Sequence, residues 1–162
     1  MFSIALTVLL GQLSPTRYLA QHSPDDGQGN YSIQLESSWR PKNLGAKRDR
    51  DLFEVNAPLY IGPHNAQMQI VRLVNPGSQF LKSVSDDMDK ARLNKGFVDL
   101  TQNRRFGAIY PIKRKSGNKV WTVANVIDGQ EVYAASIESD QKFNKGETTG
   151  LVRILQSIKA EP

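Results

Sequence analysis

The chain has 162 residues, the length of one domain, and 39% of them are hydrophobic, which is enough for one core without metal or disulfide cross-links. The sequence contains no cysteine, so disulfide bonds, thiolate nucleophiles and cysteine-based zinc sites are excluded. With 21 Lys and Arg against 16 Asp and Glu, the formal net charge is +5. Basic residues are concentrated at 40–50 and 104–119, and this asymmetry favours an anionic partner.

The first residues, "MFSIALTVLLGQLS", contain an apolar run from Ile4 to Gly11 with a single threonine in it. Such a run has the length of the apolar core of a secretory signal and is much shorter than the ~20 residues of a membrane-spanning helix. The polar stretch "QHSPDDGQGN" that follows is typical of a linker. We therefore predict a signal peptide or signal-like segment at 1–20, a linker at 21–29 and a single domain at 30–162. An amphipathic first helix is the alternative for the apolar run.

The domain begins with a predicted strand. Tyr31, Ile33 and Leu35 alternate with polar residues, which is the period-two pattern of a strand with one buried face. Trp39 has the same parity, and we predict that its ring is part of the core and closes one end of the sheet. Two further strands are predicted, at 52–61, where Pro58 confines the strand to a sheet edge or breaks it, and at 68–74.

Two amphipathic helices are predicted from apolar residues at spacings of three and four. The first follows the turn "NPGS", with Ser78 as its N-cap and Gly96 near its end, and its apolar stripe is Leu81, Val84, Met88 and Ala91. The second lies at the C-terminus, with Thr148 or Thr149 as its cap, and its stripe is Leu151, Ile154, Leu155 and Ile158. Between the helices the pattern is that of strands, and the dipeptide "DG" at 128 and 129 predicts a hairpin.

Strands joined by hairpins, with helices in separate positions, predict an α+β domain in which an antiparallel β-sheet of about six strands is covered by two amphipathic helices. The stretch "YSIQLESSW" resembles the first strand of the Mog/PsbP-like fold family, where aromatic-x-apolar-x-apolar-Pro-x-Gly-Trp is common, although Glu36 and Ser38 replace the proline and the glycine. The closing segment, from "DGQEV" to residue 159, is also similar to that family. The family includes the PsbP extrinsic proteins of photosystem II and DcrB-like periplasmic proteins.

The resemblance implies an α/β/α sandwich that binds other proteins, and it carries over no catalytic residue. The sequence itself offers few groups for catalysis, because its only histidines are His22 and His64. The acidic residues Asp86, Asp87 and Asp89 diverge around a predicted helix and are expected to be solvated. We predict no catalytic residue, no cofactor and no metal site; a metal- or His64-dependent hydrolase is the alternative.

The prediction for function is a small exported, non-catalytic protein-binding module that docks an acidic partner through a basic face, as an accessory subunit or as an inhibitor of the immunity-protein type. It is expected in the periplasm, or in the thylakoid lumen of a photosynthetic source, and as a monomer when free. The predicted contact residues are Arg104, Arg105, Lys113, Arg114 and Lys115, with Lys47, Arg48 and Arg50 as a second group.

Three other hypotheses for the partner or the role of the protein are considered. An anionic lipid surface is one alternative partner. Nucleic acid is disfavoured, because Phe106 and Tyr110 share one strand face and are predicted to lie in the core, where bases could not stack on them. A cytoplasmic docking chaperone of the same fold would require the apolar N-terminal segment to stay attached.

Overall fold

The computed structural model describes residues 16–21, 28–49, 52–55, 58–114 and 117–162, and for residues 46–49, 52 and 54 it describes the backbone alone. Within these residues the chain is α+β, with two helices and two β-sheets. The elements are β1 (Arg17–Ala20), β2 (Tyr31–Gln34), β3 (Arg40–Pro41), β4 (Leu44–Asp49), β5 (Leu52–Val55), β6 (Leu59–Ile61), β7 (Gln67–Val74), α1 (Ser78–Ala91), β8 (Val98–Asp99), β9 (Phe106–Ile112), β10 (Val120–Asp128), β11 (Glu131–Ser139), α2 (Lys145–Gln156) and β12 (Lys159–Ala160). A 3₁₀ turn, Pro63–Asn65, precedes β7.

The larger sheet has seven strands in the order β3-β6-β7-β11-β10-β9-β8, and all neighbouring pairs are antiparallel. The smaller sheet has five strands in the order β12-β2-β1-β5-β4, with β1 and β5 parallel. The predicted α+β class, an antiparallel sheet and the two helices are therefore confirmed. A single sheet of about six strands is not, because the short strands β3 and β8 extend the large sheet and strands near both ends of the described chain form a second one.

Strand β1 precedes the predicted start of the domain at residue 30. It pairs with both β2 and β5, so it lies inside the smaller sheet, and Leu19 and Ala20 are buried there. The Arg17 guanidinium also forms an ion pair with Glu161 near the other end of the chain. The folded unit therefore includes residues 17–20. Residues 1–15 of the predicted signal-like segment and residues 22–27 of the predicted linker lie outside the described residues.

The β10–β11 hairpin is confirmed, since Asp128 and Glu131 face each other across a two-residue loop. Side chains along β9 and β10 alternate between two packing clusters. One cluster joins Ala108 and Tyr110 to Met88 and Ala91 of α1, and we call this side of the large sheet its outer face. The other cluster is the main core, to which β9 and β10 contribute Ile109, Ala124 and Val126, and we call this side the inner face.

The main core joins the inner face to α2 and to the smaller sheet. All four residues of the predicted C-terminal stripe are buried in it, although Ile158 lies just after the end of α2. On the outer face, Tyr110 is buried as predicted. The prediction that Phe106 is buried beside it is wrong, because Phe106 begins β9, outside the cluster that α1 covers, and is 61% exposed.

The predicted helix caps are wrong at both helices. Ser78 is the first residue of α1, and the N-cap is the preceding glycine. In α2 the N-cap is Asn144, whose side chain accepts from the Glu147 amide while the Glu147 carboxylate accepts from the Asn144 amide. Thr148 and Thr149 lie inside α2, where their hydroxyls donate to backbone carbonyls four residues earlier.

Trp39 is a core residue, as predicted from its parity with the first strand. Its side chain is only 4% exposed, and its ring centroid lies 6.1 Å from that of Phe143. The opposing backbone at Gly62 is so close that a Cβ atom there would lie 2.5 Å from indole Cδ2. The ring therefore fits only because residue 62 has no side chain.

Arg72 of β7 connects the two sheets. Its guanidinium forms two hydrogen bonds with the Glu131 carboxylate on β11, at 2.8 and 2.7 Å. It also donates to the backbone carbonyls of Asn30, just before β2, and of Glu161, just after β12. The hydrogen bond from Arg72 holds the pKa of Glu131 below its usual value, so the negative charge of this carboxylate stabilises the fold.

Two glycine-to-alanine substitutions should have opposite effects on stability. Gly62→Ala should lower the free energy of unfolding by about 1–3 kcal/mol, because the methyl group would overlap the Trp39 ring. Gly150→Ala, inside α2, should raise it by about 0.5–1 kcal/mol, because the nearest atom to its Cβ is 3.6 Å away and alanine favours the helix. Urea unfolding measures both; a destabilisation of equal size at the two positions would contradict the packing described for Trp39.

The Arg72–Glu131 pair should make the domain sensitive to acid. Because the folded-state pKa of Glu131 is lowered, its contribution is present above its unfolded pKa of about 4.3 and is lost as the pH falls through the folded value. Glu131→Gln should therefore lower the free energy of unfolding by about 1.5–3 kcal/mol at neutral pH and by progressively less in acid. Urea unfolding between neutral pH and pH ~3 gives the profile. Asp86→Asn, in an exposed ion pair, is the control and should change the profile little; a Glu131→Gln profile parallel to that of the wild type would count against the role of this pair.

Candidate functional site

The basic stretch 104–119 is divided by a strand. β9 places Arg104 and Arg105 before its first residue and Lys113 and Arg114 after its last, so the two pairs lie about 25 Å apart at a rise of ~3.3 Å per residue. Lys115 lies outside the described residues. The predicted contact residues therefore do not form one continuous surface.

Arg105 has a role inside the fold. Its side chain is 18% exposed, and its Nε lies 3.0 Å from the Asp128 carboxylate. Nη1 donates to the carbonyl of Ile158 at 3.0 Å, and the guanidinium lies 5.3 Å from the centre of the Tyr133 ring. Arg104, in contrast, is exposed at the tip of a tight turn with a positive φ of 69°. Of the two, only Arg104 is free to meet a partner.

The second predicted group lies on or beside the edge of the smaller sheet. Lys47 and Arg48 belong to β4, the last strand of that sheet. Their side chains and the whole of Arg50 lie outside the described residues, so this group stays a prediction from the sequence.

A groove of about 1480 Å³ lies on the outer face of the large sheet. Four strands, β7, β11, β10 and β9, form its floor, and the C-terminal part of α1 forms one side. The floor mixes small and polar residues, such as Gln69, Ala134 and Ser136, with larger apolar ones, such as Ile112 and Val123. We call this surface the basic groove because of the side chains on its rim.

Six basic side chains and one acidic side chain line the basic groove; the basic ones are Lys90, Lys95, Lys113, Arg114, Lys119 and Lys142. Two of these charges are paired within the protein. Lys119 binds Asp140, which raises the pKa of Lys119 and lowers that of Asp140, and Lys90 lies 3.8 Å from Asp87. The other four have no acidic partner among the residues that the structure describes. The groove therefore carries unneutralised positive charge.

One end of the groove contains the ring of Trp121, which we call the aromatic platform. The Arg114 guanidinium lies 4.4 Å from the centre of the Trp121 ring, a close cation–π stack. Nearby, the Tyr110 hydroxyl accepts a hydrogen bond from Asn125 at 3.2 Å, and burial is the main cause that raises the pKa of Tyr110. Arg114 thus has a defined orientation, whereas Lys95, Lys113 and Lys142 are exposed side chains.

Of the predicted contact residues whose side chains the structure describes, Lys113 and Arg114 line this groove. No sequence signal assigns Lys90, Lys95 or Lys142 to a site, because each is a single lysine in an unremarkable context. They come together only when α1 packs on the outer face and the chain after β11 returns beside it. Lys119 was part of the basic run, which was the one signal for it in the sequence.

His64, on which the alternative hydrolase would depend, lies in the 3₁₀ turn and contacts the first turn of α2. Its Nε2 is 3.0 Å from the Glu147 carboxylate, and the next residue, Asn65, donates to Asp140 at 2.7 Å. The pKa of Glu147 is lowered, mainly by the Asn144 amide and to a smaller extent by His64. Among the described residues there is no cluster of three or more His, Asp or Glu side chains that could hold a metal ion. The contact between His64 and Glu147 connects the 3₁₀ turn to α2.

No model of a known protein family matches the chain, and a search of curated proteins returns no match. Neither helix of the described part of the chain has the length and apolar character that a membrane crossing requires. The geometry of the site therefore carries the argument for function.

Adjacent arginines should respond differently to truncation. Arg105→Ala should lower the free energy of unfolding by about 2 kcal/mol, because it removes the partner of Asp128, the donor to Ile158 and the cation over Tyr133. Arg104→Ala, one residue away and exposed, should change it by less than about 0.5 kcal/mol. Urea unfolding of the two variants tests this; equal losses would show that Arg105 is no more a structural residue than Arg104.

Proposed function

We propose that this protein is a small non-catalytic binding module that docks an acidic segment of a partner protein in the basic groove. The observation that carries the proposal is the set of four basic side chains around the groove that have no acidic partner among the described residues. Unneutralised charge in a concave surface attracts and orients a partner of opposite charge.

The size of the groove favours a polypeptide segment over a small molecule. Sites for small ligands usually enclose about 300–1,000 Å³. The basic groove is larger, at about 1480 Å³, and its charges come from five separate parts of the chain, α1, the turn after it, the end of β9, the start of β10 and the segment after β11. An extended segment with several acidic side chains could meet these charges together.

Two features favour an acidic protein over the other anionic partners. Single-stranded nucleic acid would stack its bases on exposed rings, but the face of Trp121 is covered by the Arg114 guanidinium. A lipid bilayer presents a flat surface, which would meet the rim of a groove and leave its floor unused. A peptide segment can use both the rim and the floor.

For the fold, we propose a Mog/PsbP-like α/β/α sandwich. The alternation along β9 and β10, which gives α1 the outer face and the main core with α2 the inner face, supports this assignment. The proposal for the protein as a whole is an exported accessory subunit or immunity-type inhibitor, monomeric when free. The apolar run at 4–11 supports export.

Charge reversal at the two ends of β9 tests the proposed function. The probe is a fluorescently labelled peptide of alternating glutamate and serine, and binding is measured by fluorescence anisotropy. Lys113→Glu should weaken binding by about tenfold or more, because it places a like charge in the groove. Arg104→Glu makes the same change of charge about 30 Å away, beyond the ~8 Å screening length of physiological salt, and should change the affinity less than about twofold.

Three comparison probes separate the possible partners: a glutamine–serine peptide, a single-stranded oligonucleotide and vesicles that contain an anionic lipid. Preference for the acidic peptide, with loss only in Lys113→Glu, supports the proposal. Equal loss in the two variants would mean that net charge alone attracts the peptide. Tighter binding of the oligonucleotide or the vesicles, competed by no peptide, would replace the acidic protein with another class of partner.

A further inference from the structure

We infer that Arg114 is the specificity-determining residue of the basic groove and that it selects a carboxylate of the partner segment by a two-point hydrogen bond. The inference rests on the proposed function and adds the chemical group that the groove recognises. It is carried by the stack of the Arg114 guanidinium on Trp121, with 4.4 Å between the guanidinium carbon and the ring centre.

Stacking leaves the hydrogen-bonding edge of the guanidinium available. A guanidinium is planar, and its N–H donors lie in that plane, so contact of its face with an indole ring does not use them. Among the described residues, no carboxylate forms an ion pair with Arg114, and no hydrogen bond from Arg114 is found there. The donors are therefore held in place and are unused, which suits a carboxylate that binds through both oxygens.

The platform lowers the entropy cost of binding. A free arginine side chain loses up to about 2 kcal/mol of rotational freedom when it is fixed, and a stack on a ring restricts that freedom before the partner arrives. Trp121 is itself anchored in β10, between β9 and β11, and its indole Nε1 is buried without a hydrogen-bond acceptor in the described part of the chain. The ring therefore serves as an apolar support for Arg114.

The lysines of the groove contribute attraction without this selectivity. Lys95, Lys113 and Lys142 are exposed side chains that end in rotatable ammonium groups, which act as point charges toward any anion. Gln69 and Ser136 add uncharged polar groups on the floor. The groove thus has one oriented guanidinium at the Trp121 end and several rotatable ammonium groups around it.

Replacing arginine by lysine inside and outside the groove separates geometry from charge. Arg114→Lys keeps the charge but removes the planar guanidinium and should weaken binding of the glutamate–serine peptide about tenfold, while the slope of affinity against salt stays the same. Arg104→Lys, the same exchange at an exposed arginine outside the groove, is the matched control and should change the affinity less than about twofold. Thermal midpoints of both variants should match the wild type, because both side chains are exposed.

A double-mutant cycle tests the platform itself. Trp121→Phe keeps an aromatic face and should keep most of the affinity, whereas Trp121→Ala should lose about as much as Arg114→Lys, and the combination of Trp121→Ala with Arg114→Lys should lose little more than either alone. Circular dichroism checks that each variant is folded. Losses that simply add would show that Trp121 does not act through Arg114.

The outcomes distinguish this inference from the proposed function. If the wild type does not bind the acidic peptide, the proposed function fails. If the wild type binds but Arg114→Lys binds equally well, the docking groove stands and the selection by Arg114 is wrong. Inorganic phosphate at the concentration of the peptide carboxylates is the competitor. Displacement of the peptide by phosphate would show that the Arg114 guanidinium binds a phosphate group and would overturn the inference that it selects a carboxylate.

Discussion

The structure depends on one constraint, which is that side chains along a strand alternate between the two faces of its sheet. In β9 and β10 both sets of alternating residues are largely apolar, so both faces of the large sheet must be covered. The main core, with α2 and the smaller sheet, covers the inner face. On the outer face the described residues provide α1, and one helix, about 10 Å wide, covers only about two strands spaced ~4.8 Å apart. The basic groove is the part of the outer face that α1 leaves open over β7, β11, β10 and β9.

Two local contacts hold the rest of the domain to this sheet. Arg72 bonds to Glu131 within the sheet and to the backbone beside β2 and β12, so one guanidinium connects the large sheet to the smaller one. At another point Trp39 fills the space between Phe143 and the bare backbone of Gly62. Because the smaller sheet combines strands from near both ends of the described chain, these contacts fix segments that are far apart in sequence.

Local patterns predicted the parts of the fold that local forces decide. The period-two pattern of Tyr31, Ile33 and Leu35 predicted β2 and the burial of Trp39, and the "DG" dipeptide predicted the β10–β11 hairpin, because each depends on residues close together in the chain. The sequence pattern was insufficient where two possible local structures differ little in free energy. Ser78 and Thr148 are good caps in isolation, but Gly77 precedes α1, and α2 begins at the capping box of Asn144 and Glu147. Phe106 has the parity of a core residue, yet it lies outside the area that α1 covers.

For the site, the sequence by itself determined that positive charge is concentrated, that no cysteine chemistry is available and that Lys113 and Arg114 are next to each other. The tertiary structure decided how those charges are used. It separated Arg104 and Arg105 from Lys113 and Arg114 by the length of β9, committed Arg105 to Asp128, and brought Lys90, Lys95 and Lys142 to the rim that Lys113 and Arg114 share. The physical reason is that a β-strand extends neighbouring charges apart at ~3.3 Å per residue, whereas the packing of a helix on a sheet brings distant charges together.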